Sequence, residues 1–300
     1  LSYITRTRHP PLVRTSSFLG VILFAATADA QARAGTMNVG DASLRYEVMG
    51  SGPALVFING AALNFSSWDD QVAEFARDHR VIRYDLRGFG KSTGHVDQTA
   101  EPDDLRTLLD SLGVRSARIV GLSRGAMVAA TFAVRWPERV EALVLYGLGP
   151  TPDYPTQPNR AERRAELAGI LRTHGIDSLK QFMSTRPNAW IPPNRPDAVE
   201  RIRRAMADYD GRNLLDQRPP SNRVAPATIP ELARLRMPVL LVHGDHETPV
   251  PMAMADTLAR RIAGVKRVVL RDGGHGAHFA QPDAFNRELR AFLETIARQR

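Results

Sequence analysis

The sequence predicts an α/β protein built on a mostly parallel sheet, and three observations lead to this prediction. Short β-branched apolar runs alternate with longer helix-forming runs from residue 43 onward, the pattern of strands joined by crossover helices. Several of the short runs are apolar throughout, as expected of strands buried on both faces. One of these runs leads directly through a glycine-flanked serine, at residues 121–125, into a helix-forming segment.

The individual elements follow from this alternation. The runs that predict strands are residues 43–48, 54–58, 81–84, 117–120, 142–146, 239–242 and 267–270. The first two are joined by a glycine-rich link that is short enough for an antiparallel hairpin. Helices of the main fold are predicted at residues 67–77, 102–112, 124–136, 252–262 and 283–297.

The alternation breaks between residues 147 and 237, where prolines are frequent. Two helices are predicted in this stretch, at residues 161–173 and 197–209, and Pro196 suits the start of the second. Ligands of open α/β sheets bind at the carboxyl edge of the strands. We therefore expect a helical cap over that edge, at residues 150–228, inserted into a core formed by residues 31–149 and 229–300.

Composition excludes several functional classes. The chain has 300 residues, of which 43% are hydrophobic and 24% charged, as in ordinary globular proteins. The net charge of +8 comes from arginines scattered among acids, without a base-reading motif, which argues against a nucleic-acid partner. The absence of cysteine excludes a thiol nucleophile, a disulfide and a thiolate metal site.

The N-terminal segment has the layout of a secretory signal peptide. Three arginines (Arg6, Arg8 and Arg14) precede the apolar run 18–26, and a small-x-small pattern follows at residues 28–30. This pattern predicts a signal peptide over residues 1–30 and a periplasmic or secreted protein; an uncleaved chain would be cytoplasmic. The apolar run is too short to span a bilayer, so no stable membrane anchor is expected.

Ser123 stands at the centre of the glycine-flanked turn. Gly121 and Gly125 lie two residues to either side, and a serine placed this way between a strand and a helix is the nucleophile elbow pattern. The N-terminus of the following helix would direct its N–H groups toward a developing oxyanion. A tight turn with a solvent-facing serine is the alternative, and the flanking strand and helix favour the nucleophile.

Four motifs then occur in a fixed order. They are residues 59–62 after a strand, residues 84–92, the elbow, and finally residues 244–251 together with Gly274-His275 and the downstream Gln281-Pro282. On these motifs the chain resembles the α/β-hydrolase family across residues 38–298. The resemblance implies an eight-stranded, mostly parallel sheet flanked by helices, with a helical cap. It also implies catalytic residues in the chain order serine, acid, histidine.

The resemblance assigns roles to particular residues. Ser123 would be the nucleophile, and because a neutral hydroxyl is a poor one it needs a base in contact. His275, after two glycines and the last strand, is the candidate base, with a satisfied loop histidine as the alternative. The family register selects Glu247 as the acid that orients His275. Asp245 is the rival, because aspartate is commoner in this role.

Backbone N–H groups of Ala61 and Arg124 would form the oxyanion hole. Asn59 stands where the family usually has histidine, which leaves the rigidity of that loop open. The guanidinium of Arg124 could pair with a substrate carboxylate or with solvent. Asp85 and Arg87 are expected to brace their turn.

The remaining histidines have less specific readings. His278 is expected to be structural or at the rim of the site, and His243 and His246 to support the acid loop. A metal site is the competing interpretation, with ligands drawn from His243, Asp245, His246, Glu247, His275 and His278. Their spacing fits no recognised zinc signature, so neither a metal nor another cofactor is expected.

The sequence thus predicts a secreted serine hydrolase that cleaves small carboxylic esters or lactones through an acyl-enzyme. One alternative uses the same residues for carbon–carbon bond hydrolysis, acyl transfer or cofactor-free peroxidation. Another is a ligand-binding protein on a hydrolase fold, since fold does not fix function. The oligomeric state and natural substrate stay open. Four cap side chains could line an apolar pocket or pack against the core: Tyr154, Phe182, Met183 and Trp190.

Overall fold

The computed structural model describes residues 32–154, 159–185 and 196–298. Within these ranges eight strands form one sheet. They are β1 (Arg33–Val39), β2 (Ala42–Met49), β3 (Ala54–Ile58), β4 (Arg80–Tyr84), β5 (Ala117–Leu122), β6 (Val140–Tyr146), β7 (Val239–Gly244) and β8 (Lys266–Leu270). Their order across the sheet is β1-β2-β4-β3-β5-β6-β7-β8. The predicted eight-stranded sheet is confirmed.

Most of the sheet is parallel. β1 pairs with β2, and β2 with β4, in antiparallel fashion, whereas every other neighbouring pair is parallel. The central strands β5 and β7 are buried along their whole length, which explains their apolar sequences. Because the parallel strands share one direction, the loops that leave their carboxyl ends meet at one edge of the sheet.

Helices connect and cover the strands. They are α1 (Asp69–Phe75), α2 (Glu101–Ser111), α3 (Arg124–Arg135), α4 (Arg160–Thr185), α5 (Pro196–Ala205), α6 (Arg212–Leu215), α7 (Ile229–Leu232), α8 (Pro249–Arg261), α9 (Ala277–Ala280) and α10 (Pro282–Ala297). Short 3-10 helices occur at Phe65–Trp68 and Pro137–Arg139. α3 packs on β5 and β6 and also contacts α2, while α1 packs against α10.

The predicted hairpin between the second and third strands is wrong. β4 lies between β2 and β3 in the sheet, so the glycine-rich link passes the start of β4 instead of making a tight turn. At Gly50, a Cβ atom would lie 2.3 Å from the Ala76 carbonyl oxygen, and at Gly52 one would lie 2.7 Å from that of Asp78. These glycines serve the close passage of one backbone over another.

β1 is the strand that the residue pattern did not predict. It is an edge strand whose seven residues are mostly exposed, with Val39 alone fully buried. It forms the actual hairpin of this region, joined to β2 through Gly40, which has a φ of +64°. With so little apolar surface to bury, β1 lacks the sequence signal of the central strands.

Within the described residues, four helices occupy the segment between β6 and β7: α4, α5, α6 and α7. α4 extends beyond the predicted helix 161–173 and is interrupted at Gly175, where φ is +80° and ψ is 179°. α5 corresponds to the predicted helix 197–209 but ends earlier, at Ala205. It packs on the 3-10 helix Phe65–Trp68 and on α9, at the carboxyl edge of the sheet.

Two predictions concern parts of the chain that lie outside the described residues: the signal peptide at residues 1–30 and the position of Trp190. Across the described ranges, none of the helices combines the length and the apolar character needed to cross a bilayer. Of the other three cap side chains, Tyr154, Phe182 and Met183 are partly buried and pack against the hydrophobic core.

Candidate active site

Ser123 occupies a sharp turn between β5 and α3. Its φ is +54° and its ψ is −110°, a region that side chains other than glycine rarely adopt. The Ser123 N–H donates to the Tyr146 carbonyl at 2.8 Å, and its own carbonyl accepts from Met127 N–H at 3.1 Å. The Ser123 side chain makes no capping hydrogen bond to α3. The backbone is therefore held while the hydroxyl is left for other chemistry.

The two flanking glycines are required by space. A Cβ on Gly121 would lie 2.3 Å from the Gly125 carbonyl oxygen, and one on Gly125 would lie 2.4 Å from that of Ile58. Contacts this short cannot form without movement of the backbone. The elbow therefore depends on glycine at both positions, as the sequence pattern indicates.

His275 and Glu247 meet at the same edge of the sheet. His275 Nδ1 lies 2.8 Å from Glu247 Oε2, and the Glu247 side chain is completely shielded from solvent. The other carboxylate oxygen accepts hydrogen bonds from the N–H and the hydroxyl of Thr248, at 2.7 and 3.1 Å. Burial opposes ionisation of Glu247, but the nearby His275 and these hydrogen bonds outweigh it and lower its pKa.

This contact fixes the histidine tautomer. A carboxylate only accepts hydrogen bonds, so Nδ1 of His275 carries the proton and donates it to Glu247. In the neutral ring Nε2 is then unprotonated and able to accept a proton. The arrangement is that of an oriented general base.

Gly147 is a site residue that the sequence analysis did not identify. It follows β6 with a φ of +58°, and a Cβ at this position would lie 2.7 Å from His275 Cε1 and 3.2 Å from Glu247 Oε2. The imidazole therefore lies against the end of β6, the strand next to β5, and Ser123 directly follows β5. The available signal was a glycine directly after a predicted strand, at the sheet edge where ligands bind.

The loop after β3 lies beside the elbow. A Cβ on Gly60 would make an ordinary contact of 3.5 Å with Ser123 Cβ. Asn59 is fully buried, and its Nδ2 donates to the carbonyls of Gly60 and Leu63 at 3.1 and 2.5 Å. These bonds fix the loop from within, which answers the question that the missing histidine raised about its rigidity.

The Ala61 and Arg124 N–H groups are the two donors expected to form the oxyanion hole. Neither donates a hydrogen bond to any acceptor in the described part of the chain. One precedes Ala62, whose φ is +65°, and the other is at the start of α3, where the partial positive charge of the helix N-terminus is concentrated. Both are chemically suited to receive an oxyanion.

Asp245 contacts the turn that precedes His275, and the structure gives no hydrogen bond between it and the imidazole. Its Oδ1 accepts from Gly273 N–H at 3.0 Å, and burial, which raises its pKa, is outweighed by backbone hydrogen bonds that lower it. His246 lies 3.8 Å from the same oxygen and is exposed. Of the two acids that the sequence left open, Glu247 is the one in contact with His275.

The Arg124 guanidinium binds a carboxylate that the sequence analysis did not consider. Its Nε lies 2.8 and 3.0 Å from the two carboxylate oxygens of Glu101, which is fully buried at the start of α2. Asp85 and Arg87, by contrast, brace the turn as expected. Asp85 accepts from the Phe65 and Lys91 N–H groups, and burial raises its pKa to about 6.

His278 and His243 make contacts that are typical of structural residues. His278 is buried, stacks on Trp68 at 4.7 Å and contacts the Ser67 carbonyl at 3.2 Å, and burial lowers its pKa to about 3. His243 accepts from Arg267 Nε at 2.9 Å. The six residues considered as metal ligands are not gathered into one cluster. Over the described ranges, the side chains close enough for shared coordination are instead the exposed group Asp245, His246 and Asp272.

Comparison with known proteins agrees with this fold. A family model described as "Alpha/beta hydrolase family" matches residues 55–288. The 3-oxoadipate enol-lactonase 2 of Acinetobacter baylyi is 27% identical over 271 residues, covering 86% of this chain and 96% of that protein. The enol-lactonase structure from Burkholderia xenovorans LB400 has a TM-score of 0.72 and 25% identity, covering 87% and 100% of the two chains. A thermophilic esterase from Thermogutta terrifontis has a TM-score of 0.74 and 27% identity, covering 89% and 99%.

Proposed function

Because the chain belongs to the alpha/beta hydrolase family, we propose that it is a serine hydrolase that cleaves carboxylic esters or lactones through an acyl-enzyme on Ser123. The observation that carries this proposal is the 2.8 Å contact between His275 Nδ1 and Glu247 Oε2. A buried carboxylate in this position orients the imidazole and stabilises the imidazolium that forms during proton transfer. The lactonase and esterase among the similar proteins support the substrate class.

The first half of the reaction forms the acyl-enzyme. His275 Nε2 takes the hydroxyl proton of Ser123 as its oxygen attacks the carbonyl carbon of the substrate. The resulting oxyanion accepts hydrogen bonds from the Ala61 and Arg124 N–H groups. When the tetrahedral intermediate collapses, the bond to the leaving oxygen breaks and His275 gives its proton to that oxygen.

The second half releases the acyl group. His275 takes a proton from a water molecule, which attacks the ester carbon on Ser123, and the same two N–H groups receive the oxyanion. Collapse returns the proton to Ser123 and frees the acid. With an ester, the products are an acid and an alcohol. With a lactone, both groups remain on one molecule, so the product is a single ring-opened acid.

We also assign residues 150–228 to a cap over this site, inserted between core segments 31–149 and 229–300. The ends of the insertion meet, because the Ile229 N–H donates to the Asp153 carboxylate at 3.1 Å. A capping box of Thr228 and Glu231 begins α7 at the predicted boundary. In the middle of the insertion, the Ala205 carbonyl accepts from Asn64 N–H at 2.7 Å. This contact supports a position of the cap above the oxyanion loop.

A panel of p-nitrophenyl esters and lactones, with wild type and Ser123→Ala, tests the proposal. We expect hydrolysis by wild type and a loss of roughly 10⁶-fold in kcat for the variant. A fluorophosphonate probe should label wild type and leave the variant unlabelled. Full activity in Ser123→Ala would contradict the mechanism. Absence of both hydrolysis and labelling in folded wild type would favour a ligand-binding protein.

Export is a separate part of the proposal and rests on the N-terminal pattern of arginines, apolar run and small residues. Expression of the full chain in a bacterial host, followed by fractionation and N-terminal sequencing, tests it. We expect a periplasmic protein that begins at Gln31. A cytoplasmic protein that retains residues 1–30 would contradict it.

A further inference from the structure

A second buried carboxylate lies close to the elbow and has no part in the mechanism above. Glu101 is the first residue of α2, and Arg124 is the first residue of α3. The two side chains are joined by contacts of 2.8 and 3.0 Å from Nε and of 2.8 Å from Nη2. Glu101 is completely shielded from solvent, whereas 18% of the Arg124 side chain is exposed. Both carboxylate oxygens are therefore fixed on one guanidinium.

The position of Arg124 gives this ion pair a consequence for catalysis. Its backbone N–H is one of the two proposed oxyanion donors, and it follows Ser123, whose φ of +54° is strained. A strained conformation persists only when surrounding contacts hold it. The Arg124 N–H makes no hydrogen bond within the described part of the chain, so it can meet a substrate only if its position is held by other contacts.

The partner of Arg124 is itself firmly held. One turn along α2, Asp104 binds Arg87 through two hydrogen bonds of 2.6 and 2.8 Å, and both side chains are buried. The ring of Phe89, in the same loop as Arg87, lies 5.8 Å from the Arg124 guanidinium carbon. The start of α2 is thus joined both to the loop after β4 and to the elbow.

Stability alone is a weak reason for such a pair. Removing two charges from water costs several kcal/mol, and apolar replacements of buried ion pairs often leave stability unchanged or improved. An ion pair with two-point contact does, however, define the orientation of a side chain more closely than an apolar contact. The ion pair is therefore better suited to fixing the orientation of the Arg124 side chain than to stabilising the fold.

We propose that Glu101 is a positioning residue of the reaction, which holds the Arg124 guanidinium and thereby keeps the Arg124 N–H and the elbow in the geometry that receives the oxyanion. This inference rests on the proposed function. It predicts that loss of the pair acts on turnover, because the oxyanion forms only after substrate has bound, and leaves ground-state binding nearly unchanged.

The test compares Glu101→Gln, Arg124→Met and the double variant in hydrolysis of p-nitrophenyl butyrate at pH 8, where the Glu101 carboxylate is ionised. We expect each single variant to lower kcat about tenfold, less than the 10²–10³ that follows removal of an oxyanion donor, with KM within about twofold. The double variant should be no worse than either single variant, because all three lack the same contact. Asp103→Asn, at a half-buried position of α2 where it pairs with Arg106, is the matched control and should keep wild-type kcat.

Thermal unfolding and Ser123→Ala separate the outcomes. If the pair were only structural, Glu101→Gln would lower the unfolding midpoint while kcat measured well below it stayed within twofold of wild type, and that result would overturn the inference. If Glu101→Gln does not fold, Arg124→Lys keeps the charge, loses the two-point contact and should still lower kcat. An active Ser123→Ala would instead defeat the proposed function itself.

Discussion

The two buried glutamates of the site region make an instructive comparison. Glu247 binds His275, and Glu101 binds Arg124; both carboxylates are completely shielded from solvent. Their ionisation nevertheless differs. The pKa of Glu247 is lowered, whereas burial raises the pKa of Glu101 to about 7 despite its contact with Arg124. Two glutamates whose side chains are both shielded from solvent therefore have pKa values that shift in opposite directions.

The neighbours explain the difference. Glu247 accepts two hydrogen bonds from Thr248 in addition to the contact with His275. In the described residues, Glu101 accepts hydrogen bonds from Arg124 alone, and the nearby carboxylate of Asp104 repels its negative charge. A buried carboxylate thus stays ionised where neutral donors supplement its counter-ion. That condition holds for the glutamate that must stabilise an imidazolium.

Among the variants that probe the two glutamates and their contacts, the largest effect is expected from neutralising the carboxylate that contacts His275. Glu247→Gln should lower kcat by roughly 10³–10⁴-fold, because an amide no longer stabilises the imidazolium or selects the tautomer. Ester hydrolysis at saturating substrate measures this. Asp245→Asn is the matched control, two residues away on the same loop, and should stay within about threefold of wild type. A severe loss in Asp245→Asn with an active Glu247→Gln would reverse the comparison.

The next largest loss of activity is expected from filling the space beside His275 and Glu247. Gly147→Ala adds a methyl group 2.7 Å from His275 Cε1, so the imidazole must move away from Ser123 or Glu247. We expect a loss of about 10²-fold in kcat, the scale of a misplacement of about 1 Å. Gly113→Ala is the control, since Gly113 also has a positive φ, +66°, but has open space around its Cα. Equal losses in both variants would point to backbone strain instead of displacement of His275.

Much of this site could be predicted from local sequence. The elbow is a local pattern of strand, glycine, serine, glycine and helix, and the family register selects Glu247 from a short loop. Gly147 and Glu101 could not be found in the same way. Gly147 meets His275 across 128 positions of the chain, and Glu101 reads as an ordinary acidic residue in the first turn of a helix. Their roles arise from contacts between distant elements.

The hairpin between β2 and β3 was predicted wrongly for the same reason, because contacts between distant elements decide how this link folds. The link that contains Gly50 and Gly52 has the composition of a tight turn, and nothing in it reveals that β4 will come between β2 and β3. Only the assembled sheet shows the carbonyls of Ala76 and Asp78 that these glycines pass. The local sequence indicates that glycine is needed at these positions. The reason for that need lies in contacts between distant parts of the chain, which only the tertiary structure shows.

A third prediction uses the pH dependence of stability to separate the two glutamates. The folded-state pKa of Glu101, about 7, lies above its ordinary value of 4.5. Its contribution to stability is therefore complete below pH 4.5 and is lost as the pH rises toward 7, by up to about 3 kcal/mol. Glu247 has the opposite sign: its contribution is present above pH 4.5 and is lost as the pH falls through its lowered pKa.

Urea unfolding of wild type and Glu101→Gln between pH 4.5 and 8 measures this difference. The free energy of unfolding of wild type should decline relative to that of the variant as the pH rises. Two curves that stay parallel over this range would show that Glu101 ionises normally, and the contrast between the two glutamates would disappear.

The smallest expected effect probes the neutral donors that distinguish Glu247. Thr248→Val keeps the backbone N–H that donates to Glu247 at 2.7 Å and removes the hydroxyl at 3.1 Å. A typical hydrogen bond contributes about 1 kcal/mol, so the pKa of Glu247 should rise modestly and kcat should fall about two- to fivefold. The pH dependence of stability is the decisive readout, because the loss of stability at acid pH should begin at higher pH only if the hydroxyl helps to keep Glu247 ionised. Unchanged acid sensitivity would assign that task to His275 and the backbone alone.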